Sequence, residues 1–356
     1  GGVGANENNL NLVKDGTNTQ VLDGAVTHAG TTLVQEGTLQ FGSSASFVPG
    51  GAISVIAEDG VTAGLDINGQ SFTTVGQTIL GGLGTTAVSE ITDTAGTGQI
   101  TLGGGITYDA TNDPLGATVA VAMAMGGANR TITVNDSAST TTELTLAGPV
   151  TETGNFRLTL NGTGSGRITG PVTLATTGGN ADFQIDSIGG TWTVESQISV
   201  GDDFNINDGT LIVATGGQLG TATGDDLIIN NDSDTNLAFA ELNAVDSFVG
   251  DDLFVRSGGI VKLGIDGALS AESSAGATDG MDDLNVGDAG LIIPGGSIFD
   301  VNGFNSGVSQ INLGGRLNAP GAPLVEGNII NTGGSRTNTL DTSGTSTFRF
   351  GTVAAN

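Results

Sequence analysis

GNFRL (154–158), ADFQI (181–185), DDFNI (202–206), DDLII (225–229), DDLFV (251–255) and DDLNV (282–286) share one pattern: Asn or Asp, an apolar residue, a variable residue, an apolar residue. The first apolar column reads Phe156, Phe183, Phe204, Leu227, Leu253, Leu284, and the second Leu158, Ile185, Ile206, Ile229, Val255, Val286. Successive rows are offset by 27, 21, 23, 26 and 31 residues. Constant phase at a period of 20 to 50 residues marks a solenoid, and the changing offset places insertions at its corners. Within a row the alternation is that of a strand with one buried face. Three rows continue alike, with Gly209, Gly258 or Gly290 in a turn and Leu211, Ile260 or Leu291 seven positions beyond the first column. Each coil therefore carries at least two strands. The pattern predicts an all-β chain, a right-handed parallel β-solenoid (β-helix) with like residues stacked about 4.8 Å apart. A sandwich of hairpins would need turn signals every 8 to 12 residues and no long-range phase.

Composition agrees. The 356 residues include 62 Gly, abundant Thr, Asn, Asp and Val, and no Cys. This is strand-and-turn chemistry. Disulfides and thiol chemistry are excluded. Hydrophobic residues make up 37% and the mean hydropathy is +0.11, enough apolar content to form a core. Nine basic against 37 acidic residues give a net charge of −28, which argues against nucleic acid or an anionic membrane as partner. The most apolar stretch, 117–128, is too short to span a bilayer. The opening GGVGANEN carries no export signal, which is the expectation for a processed terminus.

In outline, residues 1–9 are expected to form an N-terminal arm, 10–317 the solenoid, and 318–356 a C-terminal β element after the break NAPGAP at 318–323. The stretch STFRFGTV (346–353) puts Phe348 and Phe350 on one strand face, off the phase of the rows, and makes that element a candidate for subunit contact.

Candidate chemistry is sparse. The single His28 is the only histidine a nucleophile–histidine–acid triad could use. Carboxylate pairs of the glycosidase kind cannot be told from solvated Asp in so acidic a chain, and a polysaccharide lyase would need more than one Trp, one Tyr and nine cations. The expectation is a protein that is not an enzyme. NGTGSGR (161–167) lacks the Lys-Ser or Lys-Thr and helix of a phosphate loop and reads as a corner. Sequons at Asn129, Asn135, Asn161 and Asn231 are common by chance in an Asn- and Thr-rich chain.

Metal is the better question. Asp232, Asp234 and Asn236 alternate as in the opening of a calcium loop, although Leu237 stands where glycine is expected and no bidentate Glu follows. The rows also place Asp182, Asp203, Asp226, Asp252 and Asp283 in one column and Asp202, Asp225, Asp251 and Asp282 in another. Stacked directly, such carboxylates must cap backbone N–H groups, splay into water or bind Ca²⁺. Capping is expected of the first column, since Asn155 fills the same place, and calcium of the second. Calcium is the one cofactor this pattern invites.

The stretch NLVKDGTNTQVLDGAVTHAGTTLVQEGTLQFG (11–42) resembles the autotransporter-associated β-strand repeat through Lys14, Gly16, Leu22, Gly24, Gly30, Thr31, Thr32, Val34, Gly37, Thr38, Leu39 and Gly42. KLGIDGALS (262–270) and GGSIFDVNGFN (295–305) are weaker echoes, the latter similar to the family's Leu-Asp-Leu-Asn-Gly-Phe ending. The resemblance implies a β-helical passenger region of an exported bacterial protein, secreted or on the cell surface, and no single activity. The expected function is an extracellular structural subunit that associates end to end with copies of itself into a fibre. The alternatives are an adhesin or passenger fragment that displays corner loops to surface glycans or a neighbouring cell, and a polysaccharide-active β-helix.

Overall fold

The computed structural model describes residues 10–174, 182–220, 225–231, 235–269, 281, 283–288, 296–308, 310–313, 327–333, 340–342 and 349–350. These residues form strands, turns and bends without a helix. The chain divides into two compact units, Gly1–Thr173 and Leu174–Asn356. Both are parallel β-solenoids.

In the first unit each coil contributes strands to three walls. The first wall runs Leu12–Lys14, Thr32–Val34, Ile53–Ala57, Thr78–Gly82, Ile106–Asp109, Arg130–Val134 and Leu158–Gly162, all parallel. The second begins with Thr19–Leu22 and Gly37–Phe41 and brings Leu39, Leu65, Ile91, Val119, Leu146 and Ile168 into one register column. In the third, Phe72, Ile100, Met123, Val150 and Val172 stack likewise. Every member of the Leu39 column is at most 2% exposed. Burial is worth roughly 1.5–3 kcal/mol per such side chain, so the coil stack itself is the core. The third wall of the first two coils, Ala25–His28 and Ser46–Pro49, closes over an aromatic cluster in which Phe41 and Phe47 stack at 4.4 Å and Phe72 meets both edge-on.

The second unit contains five of the six motif rows. Phe183, Phe204, Leu227, Leu253 and Leu284 are in parallel register, as are Ile185, Ile206, Ile229, Val255 and Val286. The first four of the Phe183 column and Leu284 are fully buried, and the Phe183 and Phe204 rings lie 6.3 Å apart. The parallel columns are as expected. Phe156 is the exception: it lies outside any strand, half-buried, and its ring covers Gly154, where a Cβ would come within 2.5 Å. The strand starts only at Leu158.

Two further differences concern register and burial. Gly209 pairs with Ala238 and Ala238 with Gly259, so Gly259, not Gly258, is its equivalent. This one-residue slip sends Ile260 to the outer face and puts Val261 in column with Leu211 and Ala240. Leu291 lies outside the described residues. A strand with one buried face turns its variable residue to water, and Gln184 is half-buried, yet in the next four rows Asn205, Ile228, Phe254 and Asn285 are all at most 9% exposed. A polar layer flanks this column: Asn231 Nδ2 donates to Asn205 Oδ1, Arg256 to Asn231 Oδ1, and Asn207 Nδ2 to Asp186 Oδ1 at 2.8 Å.

Beyond residue 318, Gly327–Ile330 pairs with Ser297–Asp300, Leu340–Thr342 with Ser306–Val308, and Arg349–Phe350 with Gln310–Leu313, all parallel. Phe350 is thus in register with Leu313, where the sequence placed it off the ladder. Phe348, residues 1–9 and the NAPGAP break lie outside the described residues.

Candidate functional site

The side chains with chemistry to offer stand at the corners, where the backbone leaves the ladder and its N–H groups need acceptors. In the second unit the inner Asp column meets this need from coil to coil. Asp252 N donates to Asp226 Oδ1 at 3.2 Å and Asp283 N to Asp252 Oδ1 at 3.1 Å. The Asp203 carboxylate accepts the Asp226 main chain in the same way. Capping by the inner column is therefore realised, but with few donors for each carboxylate. Burial, then the neighbouring acids, raise these groups: Asp226 to about 6, facing Asp203, Asp251 and Asp202, and Asp252 to about 7, facing Asp283, Asp226 and Asp251. Burial also raises Asp203, with Asp182 adding to the effect and Arg256 opposing it.

Among the described residues, Asp202, Asp225 and Asp251 of the outer column do not gather into one group of carboxylates. Asp202 groups with Asp182 and Asp203, their carboxylate oxygens within 4.8 Å of one another. Asp225 is 5% exposed, and its carbonyl accepts Asp251 N at 2.8 Å. Asp232, Asp234 and Asp282 lie outside the described residues; Asn236 is half-buried. A second acidic group, Asp15, Glu36 and Glu58, gathers at a corner of the first unit. It was missed in the sequence, although its spacing of 21 and 22 residues is one coil. There the Lys14 ammonium, 6% exposed, donates to the carbonyls of Asp15, Gly16 and Glu36.

A third arrangement occurs twice. Asp66, 2% exposed, accepts Asn68 N at 2.9 Å, Thr94 N at 3.1 Å, Thr94 Oγ1 at 2.8 Å and Gln40 Nε2 at 2.7 Å, while Asn68 Nδ2 reaches back to Phe41 O at 2.8 Å. Asp300 accepts Asn302 N at 2.8 Å, Thr332 N at 3.0 Å and Thr332 Oγ1 at 2.5 Å, and Asn302 Nδ2 reaches Leu263 O at 3.0 Å. Each Asp-x-Asn-Gly corner thus ties three successive coils. The Asn and Gly take positive φ, 43° and 80° at Asn68 and Gly69, 46° and 84° at Asn302 and Gly303, which lets the carboxylate turn onto its own backbone. Burial works to raise Asp66, but the bonds from Gln40, Thr94 and Asn68 outweigh it and hold the carboxyl below its ordinary value.

His28 Nε2 lies 2.9 Å from Thr32 Oγ1, with its ring 5.9 Å from Phe47, and burial lowers its pKa. Its neighbours make it part of the aromatic corner. NGTGSGR spans the end of the strand Leu158–Gly162, a corner and the start of Gly166–Ile168.

These coils have a counterpart among known sequences. Residues 12–41 match the passenger-associated-transport-repeat family. In the structure the repeat spans one coil, from Leu12–Lys14 through Ala25–His28, and the first two walls of the next, ending at Phe41. Its Lys14 caps the acidic corner, and its Phe41 lies in the aromatic cluster. No curated protein and no solved structure matches the chain.

Proposed function

We propose that this chain is a structural β-solenoid of the bacterial exterior, exported as a passenger and assembled with copies of itself into a fibre or filament, and that it is not an enzyme. The observation that carries the reading is the stack of parallel coils, with a match to the passenger-associated-transport repeat at residues 12–41. Support for a structural role comes from the corner carboxylates, whose acceptor capacity goes to backbone N–H groups.

Electron microscopy of the purified chain, with fractionation of the producing cells, tests this. Filaments, and recovery from the medium or cell surface, are expected. Discrete particles at every concentration would favour a display scaffold or adhesin, and products released from acidic polysaccharides would overturn the non-enzymatic reading.

A further inference from the structure

We propose that Asn161 is a site of spontaneous covalent modification, its side-chain amide being converted to a carboxylate through a cyclic imide formed with the backbone nitrogen of Gly162. The reaction favours an asparagine followed by glycine, because a residue without a Cβ lets its nitrogen close on the preceding side chain unhindered. Three such pairs occur in the chain: Asn68–Gly69, Asn161–Gly162 and Asn302–Gly303. Their surroundings separate them.

At the two Asp-x-Asn-Gly corners both ends of the asparagine amide are held. Asn68 Nδ2 donates to Phe41 O at 2.8 Å, and its Oδ1 accepts Thr94 Oγ1 at 3.2 Å. The attacking atom is engaged as well, since Gly69 N donates to Asp93 Oδ1 at 2.6 Å. Asn302 repeats the arrangement, its Nδ2 donating to Leu263 O at 3.0 Å and its Oδ1 accepting Thr332 Oγ1 at 3.3 Å. Each amide bridges an earlier and a later coil, so turning it toward the next backbone nitrogen breaks two bonds.

Asn161 is held by neither kind of bridge. It stands exposed at the end of the strand Leu158–Gly162, and among the described residues its Nδ2 has no hydrogen-bond partner. Its Oδ1 accepts the N–H of Gly162 at 2.5 Å, which sets the attacking nitrogen against the amide it must reach. Reactants placed this close to the reacting geometry gain rate from proximity alone. The fold also demands the glycine: Gly162 has a φ of 110°, and a Cβ there would lie 2.0 Å from Val134 O.

The step balances without any redox partner. The Gly162 nitrogen bonds to Asn161 Cγ and gives up its proton, the Cγ–Nδ2 bond breaks, and ammonia leaves. Water then opens the imide at either carbonyl, giving aspartate or its β-linked isomer. Either product adds a negative charge to a chain already at −28. The isomer also inserts a methylene into the main chain beside the corner where Gly164 N bonds Val134 O at 2.8 Å.

The experiment is incubation of the purified full chain at mildly alkaline and mildly acidic pH, followed by peptide mapping with mass spectrometry. The Asn161 peptide should convert on the order of tenfold faster than the Asn68 and Asn302 peptides, and faster in alkali, where the attacking nitrogen loses its proton more readily. Ammonia and β-linked aspartate should appear together with it. Asn161→Gln, whose longer side chain disfavours the ring, should abolish the fast conversion and leave the other two sites as they were. Equal rates at the three sites in the folded chain would overturn the assignment. So would an Asn161 that stays intact when folded but converts in urea, since the fold would then protect it.

Discussion

Most of the carboxylates displaced from their ordinary pKa move in opposite directions in the two units, Glu143 of the first unit being the exception that burial raises. In the first, hydrogen bonds from Thr86 lower Asp59, and at Asp66 and Glu152 the hydrogen bonds outweigh burial. In the second, burial and stacked neighbours raise Asp203, Asp226 and Asp252. The number of donors decides. Asp66 accepts four bonds, from three residues, whereas the Asp252 carboxylate is given the Asp283 N–H while Asp283, Asp226 and Asp251 crowd it. Unit charges about 4.8 Å apart repel by roughly 3 kcal/mol at an effective dielectric of 20, more than a typical hydrogen bond contributes. A solenoid can therefore stack Asp safely at a corner that offers several N–H groups, and only with strain at one that offers few.

The largest expected effect tests whether the inner ladder holds the second unit together. Phe204→Asp puts an unpaired charge between Phe183 and Leu227 and should cost about 5 kcal/mol or more, seen as lost amide protection in the adjoining coils. Protection unchanged beside Phe204 would show that the column does not carry the unit.

Next comes the clamp in the first unit. Asp66→Ala strips the acceptor from Asn68 N, Thr94 N, Thr94 Oγ1 and Gln40 Nε2 and should destabilise by about 2–4 kcal/mol, with the amides of Asn68 and Thr94 exchanging first. Asp300→Ala should repeat the result in the second unit; an effect below about 0.5 kcal/mol at both would demote the clamp to a surface contact.

How much of this the sequence announced differs between the rows and the clamps. Both apolar columns were legible from Phe183 to Val286 because each residue repeats in phase with its neighbours above and below. Ile260 was misplaced because a corner can add or drop one residue, and with a period of two that exchanges inside for outside; Phe156 was misplaced because its strand starts two residues later, at Leu158. The ending DVNGF at Asp300 was read, whereas its twin DINGQ at Asp66 was not, and neither pointed to Thr94 or Thr332, which reach the site only once coils stack. The acidic columns were visible as letters. Their unequal protonation was not, since it depends on how many N–H groups each corner turns toward them.

Charge removal should have a smaller effect, of opposite sign in the two units. The folded pKa values of Asp226 and Asp252 lie above the ordinary 3.8, so their contribution is fully present below that value and is lost as pH rises through about 6 and about 7. Asp226→Asn with Asp252→Asn should therefore raise the stability of the second unit by about 1–2 kcal/mol at pH 8, after allowance for solvent screening, and leave it unchanged near pH 4. Asp66, held low, contributes above the ordinary range and loses its effect as pH falls through its folded value, so Asp66→Asn should cost most at neutral pH and least in strong acid. Melting curves of the variants across pH separate the two, and curves parallel to the natural chain's would contradict both.

The smallest effect is calcium. With three carboxylates at Asp182, Asp202 and Asp203, millimolar Ca²⁺ at pH 8 should add about 1 kcal/mol to the second unit and a chelator should remove it. Asp202→Asn should abolish the increment, and a melting temperature indifferent to both reagents would exclude a structural calcium there.

The contrast between the units is tested most directly by following the side-chain carboxyl carbons of ¹³C-labelled aspartate through a pH titration by NMR. The account predicts that Asp226 titrates near 6, Asp252 near 7, and Asp66 below 3.8 in the same folded chain. Three midpoints clustered at the ordinary value would contradict it.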